Sequence, residues 1–219
     1  MPELTPRFLV IGFIYYVVFL FSTTCHEASH SLVAKWGGDP TAALNGQVTL
    51  NPIPHIRREP WGMLIIPLMA LLFMGQMIGW ASAPFDPAWE RRYPKRSALM
   101  ALAGPATNFI LMFVGGMGLR TLAWLQLPGE GVGFLVLTLF AMFNLNLLLG
   151  VFNLLPVAPL DGSTGIMIFM SESTAHRYLD WLRESGYARL GLLVGLLALR
   201  YFYAPIESFA NNLLLHGHF

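Results

Sequence analysis

The sequence predicts an all-α polytopic membrane protein, and three observations carry that expectation. Hydrophobic residues make up 55% of the 219 positions and charged residues only 11%, against about 25% charged in a soluble domain. Long apolar runs recur from Phe8 to Leu215, five of them near or above the roughly 20 residues that cross a bilayer. Between the runs lie loops rich in Gly, Pro and Asn. The natural organisation is a single integral membrane domain over residues 1–219. The formal charge of +1, with no basic stripe interleaved with aromatics, gives no reason to expect a nucleic-acid partner.

The first apolar segment begins at Phe8. Its pattern runs through Thr24 and His30 to Trp36, with no small-residue cleavage site, which is too long for a secretory signal core. The loop from Gly37 to Pro60 follows, and Val48, Thr49 and Leu50 within it suggest a short β-strand or hairpin. The second segment, Trp61 to Trp80, contains Gly62, Pro67, Gly75 and Gly79 and makes a poor straight helix. The third (Ser97 to Leu125), fourth (Val132 to Leu155) and fifth (Ala188 to Leu215) are longer. Reading the second segment as re-entrant places Lys35, Arg57, Arg58, Arg91, Arg92, Lys95, Arg96, Arg177, Arg183 and Arg189 on one side, and only Arg7 and Arg120 on the other. Positive charge accumulates on the cytoplasmic side. This topology therefore puts the N-terminus outside and His26 near the cytoplasmic end of the first helix. The expected setting is the cell membrane, crossed several times.

His26-Glu27-Ala28-Ser29-His30 is an HExxH string on a helix. Residues four apart share a helix face, so both imidazoles can grip one ion while Glu27 lies beside them to act on bound water. Ionisable groups are costly within a membrane helix and mark function there. The bland alternative, two histidines satisfied by carbonyls with no metal, leaves three such residues in five unexplained. Catalytic zinc usually takes three protein ligands and a water, so the chain must supply a third. Asp161 is the candidate: Pro156 and Pro159 break the fourth segment and Gly162 relaxes the backbone beyond it. Under the re-entrant topology Asp161 and His26 reach similar depth. Alternatively Asp161 simply caps a following helix. Cys25 reads as a small buried hydrophobe, and His216 and His218 as a solvated tail.

Further strings follow in order: Gly46 to Pro52 (GQVTLNP), Gly79 to Pro84 (GWASAP), Ala103 to Asn108 (AGPATN), Phe152 to Pro156 (FNLLP) and Leu160 to Gly162 (LDG). Together with HEASH they resemble the site-2 protease family of intramembrane zinc metalloproteases, in its compact prokaryotic form without a PDZ domain. The resemblance implies one zinc per chain held by His26, His30 and Asp161, with Glu27 as the catalytic glutamate. It also implies substrate-facing roles for Asn108 and Asn153, whose alternative is interhelical hydrogen bonding. Ser82 departs from the pattern, standing where many relatives have Lys. The implied activity is hydrolysis of peptide bonds within or near the transmembrane segments of a membrane protein substrate, from a site toward the cytoplasm. The rival readings are a transporter, which would not call for Glu between the histidines at this spacing, and a catalytically idle metal-binding membrane protein. Arg200, in the last segment, reads as paired with Glu207 or snorkelling. Substrate identity, regulatory trigger, oligomeric state and whether residues 61–80 span or re-enter stay open.

Overall fold

The computed structural model describes residues 2–126, 130–184 and 188–215. His216 and His218 lie outside the described residues. Helix α1 (Pro6–Gly37) starts where Thr5 Oγ1 accepts from the Phe8 amide and Pro6 occupies the first turn, and it ends at Gly38 with φ 98°. A left-handed residue at this position is the usual helix stop. Two short helices follow, α2 (Thr41–Leu44) and α3 (Pro52–Arg58), the latter capped by Asn51. A π turn, Trp61–Ile65, leads into α4 (Ile66–Met74), which Gly75 ends at φ 68°. Residues 76–86 run as a non-helical strap. Asp86 caps α5 (Pro87–Arg92), and α6 (Pro94–Leu125), α7 (Glu130–Asn153), α8 (Asp161–Gly165), α9 (Glu172–Glu184) and α10 (Ala188–Leu214) complete the order.

Four helices, α1, α6, α7 and α10, are long and apolar enough to cross a membrane. The second of the five apolar segments, read from the sequence as re-entrant, is not among them. Its helical part, a π turn of 5 residues and an α-helix of 9, rises only about 21 Å against a hydrocarbon core of about 30 Å. The cause is local. Pro67 lacks the N–H that the Met63 carbonyl would accept in an α-helix, and that carbonyl instead accepts from the Tyr16 hydroxyl at 3.3 Å.

The expected strand is corrected too: among the described residues there is no strand, and Val48 to Leu50 form bends. Turn chemistry overrides the β-propensity of Val and Thr here. Gly46 sits at φ 69°. Thr49 Oγ1 accepts from the Asn51 amide, the Thr49 carbonyl accepts from His55 Nε2, and Asn51 caps α3.

Named contacts fix the helix directions. Arg96 at the start of α6 donates to the Gly37 carbonyl at the end of α1, and deeper in the bundle His26 meets Asn108, so α1 and α6 run antiparallel. Gly118 faces Leu139 and Gly115 faces Phe143, so α6 and α7 are antiparallel as well. Helix α1 is therefore parallel to α7, and residues 38–93 leave and rejoin the bundle at one end, the end at which α7 delivers Asp161. Helix α10 packs against α6 and the end of α7, with Gly195 against Leu160 and Leu214 against Gly116. Outside the bundle, α9 packs Ala175 and Leu179 on Ala98 and Met167. Ion pairs from Arg183 to Glu90 and from Arg91 to Asp180 tie it to α5.

Candidate metal centre

One helical turn separates His26 from His30, and both rings leave α1 toward α6, where they are buried. They approach closely because α6 offers no side chain at the contact. A Cβ on Gly104 would lie 2.4 Å from Nε2 of each histidine. The next residue, Pro105, sits inside α6 and removes a helix donor. Close by, the Met100 carbonyl accepts from His30 Nδ1 at 2.7 Å. A carbonyl can only accept, so His30 carries its proton on Nδ1 and, when neutral, presents a bare lone pair at Nε2.

The two Nε2 atoms are 2.9 Å apart. Asp161, at the start of α8, directs Oδ2 to within 3.0 Å of His26 Nε2 and 3.4 Å of His30 Nε2. Gly162 lets the chain bring this carboxylate inward, since a Cβ there would meet the Leu154 carbonyl oxygen at 2.2 Å. Glu27 is buried, and its donor atom lies within 4.8 Å of those of both histidines. Neither Asp161 Oδ2 nor Glu27 Oε2 receives a hydrogen bond although both are buried.

These observations test whether the residues fit zinc. Two imidazole nitrogens and a carboxylate oxygen converge with separations of 2.9 to 3.4 Å. Three ligands at zinc bond lengths in a tetrahedral site lie about 3.4 Å apart. Lone pairs and a buried carboxylate oxygen held this close are stabilised by positive charge among them, a metal ion or a proton on an imidazole. The donor set fits. Asp161 Oδ2 lies against both Nε2 atoms, while Glu27 is turned about 100° from His26 around the helix.

A cavity of about 270 Å³ opens from Glu27, His30 and Asp161, and is bounded by Ser82, Phe85 and Leu160. The strap of residues 76–86 forms its cover. Trp80 donates its amide to the Gly62 carbonyl, Ser82 bonds Glu59 and accepts from Arg58, and the Asp86 amide donates to Asp39 Oδ2. Burial alone would push the Asp39 carboxyl up, but hydrogen bonds from Thr41 and from the Asp86 amide outweigh it and hold the group below the usual carboxylate range.

Asn108 and Asn153 are placed differently from each other. Asn108 is fully buried, with Oδ1 2.6 Å from His26 Nδ1, so its carboxamide faces a histidine rather than the cavity. Asn153 ends α7 and donates to the Leu149 carbonyl of its own helix; it does not line the cavity. Gly104 and the Met100 carbonyl were not singled out by sequence, and Asn146 reads there only as packing or polar glue between helices. The AGPATN string contained the signal for Gly104.

Two curated relatives can now be set beside this geometry. "Putative zinc metalloprotease YwhC" of Bacillus subtilis (strain 168) is 34% identical over 156 residues, 67% of this chain and 64% of the relative. "Putative zinc metalloprotease Rip3" of Mycobacterium tuberculosis is 36% identical over 108 residues, 49% of this chain and 25% of the relative. The chain belongs to the site-2 protease family. It spans less than two thirds of the length of either curated relative. No family model and no solved structure matches this chain.

Proposed function

We propose that this chain is an intramembrane zinc metalloprotease, multi-pass in the cell membrane. It hydrolyses peptide bonds within or near the transmembrane segments of membrane protein substrates from a site toward the cytoplasm. The observation that carries the reading is the convergence of His26 Nε2, His30 Nε2 and Asp161 Oδ2 on one point beside Glu27, at the base of a cavity.

His26, His30 and Asp161 would hold one zinc ion. When bound, it supplies Lewis acidity, lowering the pKa of a water toward about 7 and polarising a scissile carbonyl. Glu27 accepts a proton from the attacking water at its carboxylate. As the C–N bond breaks, Glu27 returns that proton to the leaving amine, serving first as base and then as acid. Burial of Glu27 among apolar helices, with an oxygen free of hydrogen bonds, leaves the carboxylate available for this exchange. The strap contributes Ser82 and Phe85 to the cavity lining and thereby limits bulk water at the site.

The test is cleavage of a panel of transmembrane substrates by purified protein in detergent, with Glu27→Gln alongside and zinc quantified in both. Zinc in both and cutting by the wild type alone is the expected result. Metal or proton transport in liposomes with no zinc retained and no cleavage would overturn it in favour of a transporter.

A further inference from the structure

A chain of buried amides runs from the α1–α7 contact to the metal centre, and its direction is set at the end remote from the metal. Asn146 on α7 places Nδ2 2.8 Å from the Met142 carbonyl oxygen and 2.8 Å from Ser22 Oγ. Because a carbonyl only accepts, that atom of Asn146 must be the donating nitrogen. The opposite atom, Oδ1, then accepts from Asn108 Nδ2 at 2.9 Å. Asn108 is thereby left with Oδ1 toward His26 Nδ1, 2.6 Å away, and this oxygen too can only accept. His26 must carry its proton on Nδ1. Its Nε2 is bare, pointing at His30 Nε2 and Asp161.

We infer that Asn146 is a positioning residue for the metal centre: acting through Asn108, it fixes His26 in the one neutral tautomer that can ligate zinc through Nε2. The inference rests on the zinc-site reading above. The two histidines reach the same state by different means, His30 through the Met100 carbonyl directly and His26 through two carboxamides. Asn108, Asn146 and Ser22 are all fully buried, so water does not compete for these bonds. In such surroundings a reversed carboxamide would set two donors or two acceptors face to face with no water to relieve them.

Three chains decide it: the wild type, Asn146→Leu and Asn146→Asp, each titrated with zinc against a chelating dye. Asp at this position keeps the direction. Ionised, it accepts from Asn108; protonated, it donates to Met142 and still accepts from Asn108. The expected result is tight zinc in the wild type and in Asn146→Asp, with about 10- to 100-fold weaker binding in Asn146→Leu, the usual effect of losing an outer partner of a metal-ligating histidine. Equal affinity in wild type and Asn146→Leu would overturn the positioning role while leaving the zinc site standing. Equal weakening in Leu and Asp variants would overturn the relay in favour of plain packing. No zinc in the wild type would bring down the zinc reading itself, and this inference with it. Should Asn146→Leu not fold, ¹⁵N spectra of histidine-labelled metal-free wild type, with His26 assigned by His26→Gln, decide instead. Nδ1–H with bare Nε2 is expected, and a predominant Nε2–H form would overturn the inference.

Discussion

Helix α7 presents two unlike faces to its neighbours. Toward α1 and α6 it offers Asn146, whose carboxamide is bonded on both sides in a fully buried polar chain that ends at a histidine. Toward α6 and α10 it offers Phe143, Leu147 and Val151, packed on Leu119, Ala210 and Leu214 with no polar atom among their side chains. The first face is intolerant of rearrangement, because each buried donor has one acceptor and a shift of partner leaves a polar atom unpaired. The second holds helices together by contact, and apolar side chains of similar volume substitute for one another at modest cost. Rotation about the axis of one helix therefore separates the polar chain from this apolar cluster.

Substitutions at the metal centre, on the apolar face and at the strap should separate these roles. The largest effect is expected at Gly104→Ala, whose new Cβ would meet both histidine Nε2 atoms. Stoichiometric zinc is expected to be lost outright by metal analysis, and full zinc retention would show that the two rings are not held as described. Phe143→Ala, on the cohesive face, should lower stability by about 3–5 kcal/mol in denaturant unfolding, with zinc affinity of the remaining folded protein unchanged. A parallel fall in zinc affinity would mean that the two faces are coupled. The smallest effect is expected at the strap, which Asp39 anchors through the Asp86 amide. Because hydrogen bonding lowers the Asp39 pKa in the folded chain, its contribution is fully present above the unfolded value of about 3.9 and is lost as pH falls through the folded one. Asp39→Asn should remove that acid-side loss in stability measured against pH; an unaltered profile would break the assignment.

How far the sequence reads the molecule differs between these regions. HEASH and LDG are local strings whose chemistry is set by spacing, so the candidate ligands were legible, and Gly- and Pro-rich composition marked residues 61–80 as a poor span. The convergence of Asp161 with the histidines needed only the direction of α7 relative to α1. Asn146 carries no such signal. Its role depends on the mutual register of α1, α6 and α7, which periodicity does not encode, and it looked like any polar residue bridging membrane helices. The Met100 carbonyl that orients His30 is backbone and has no signature in residue identity. Val48 to Leu50 misled for the opposite reason: a three-residue run has real β-propensity, but here the Thr49 carbonyl is taken by His55 and the side chains of Thr49 and Asn51 bond the amides of Asn51 and Ile53 in turns.

The most direct measurement is X-ray absorption at the zinc edge of the purified Glu27→Gln protein. Two imidazole nitrogens at about 2.0–2.1 Å with oxygen completing the shell are predicted from His26, His30 and Asp161. An absence of zinc, or a sulfur at about 2.3 Å bringing in Cys25, would contradict the assignment of this metal centre.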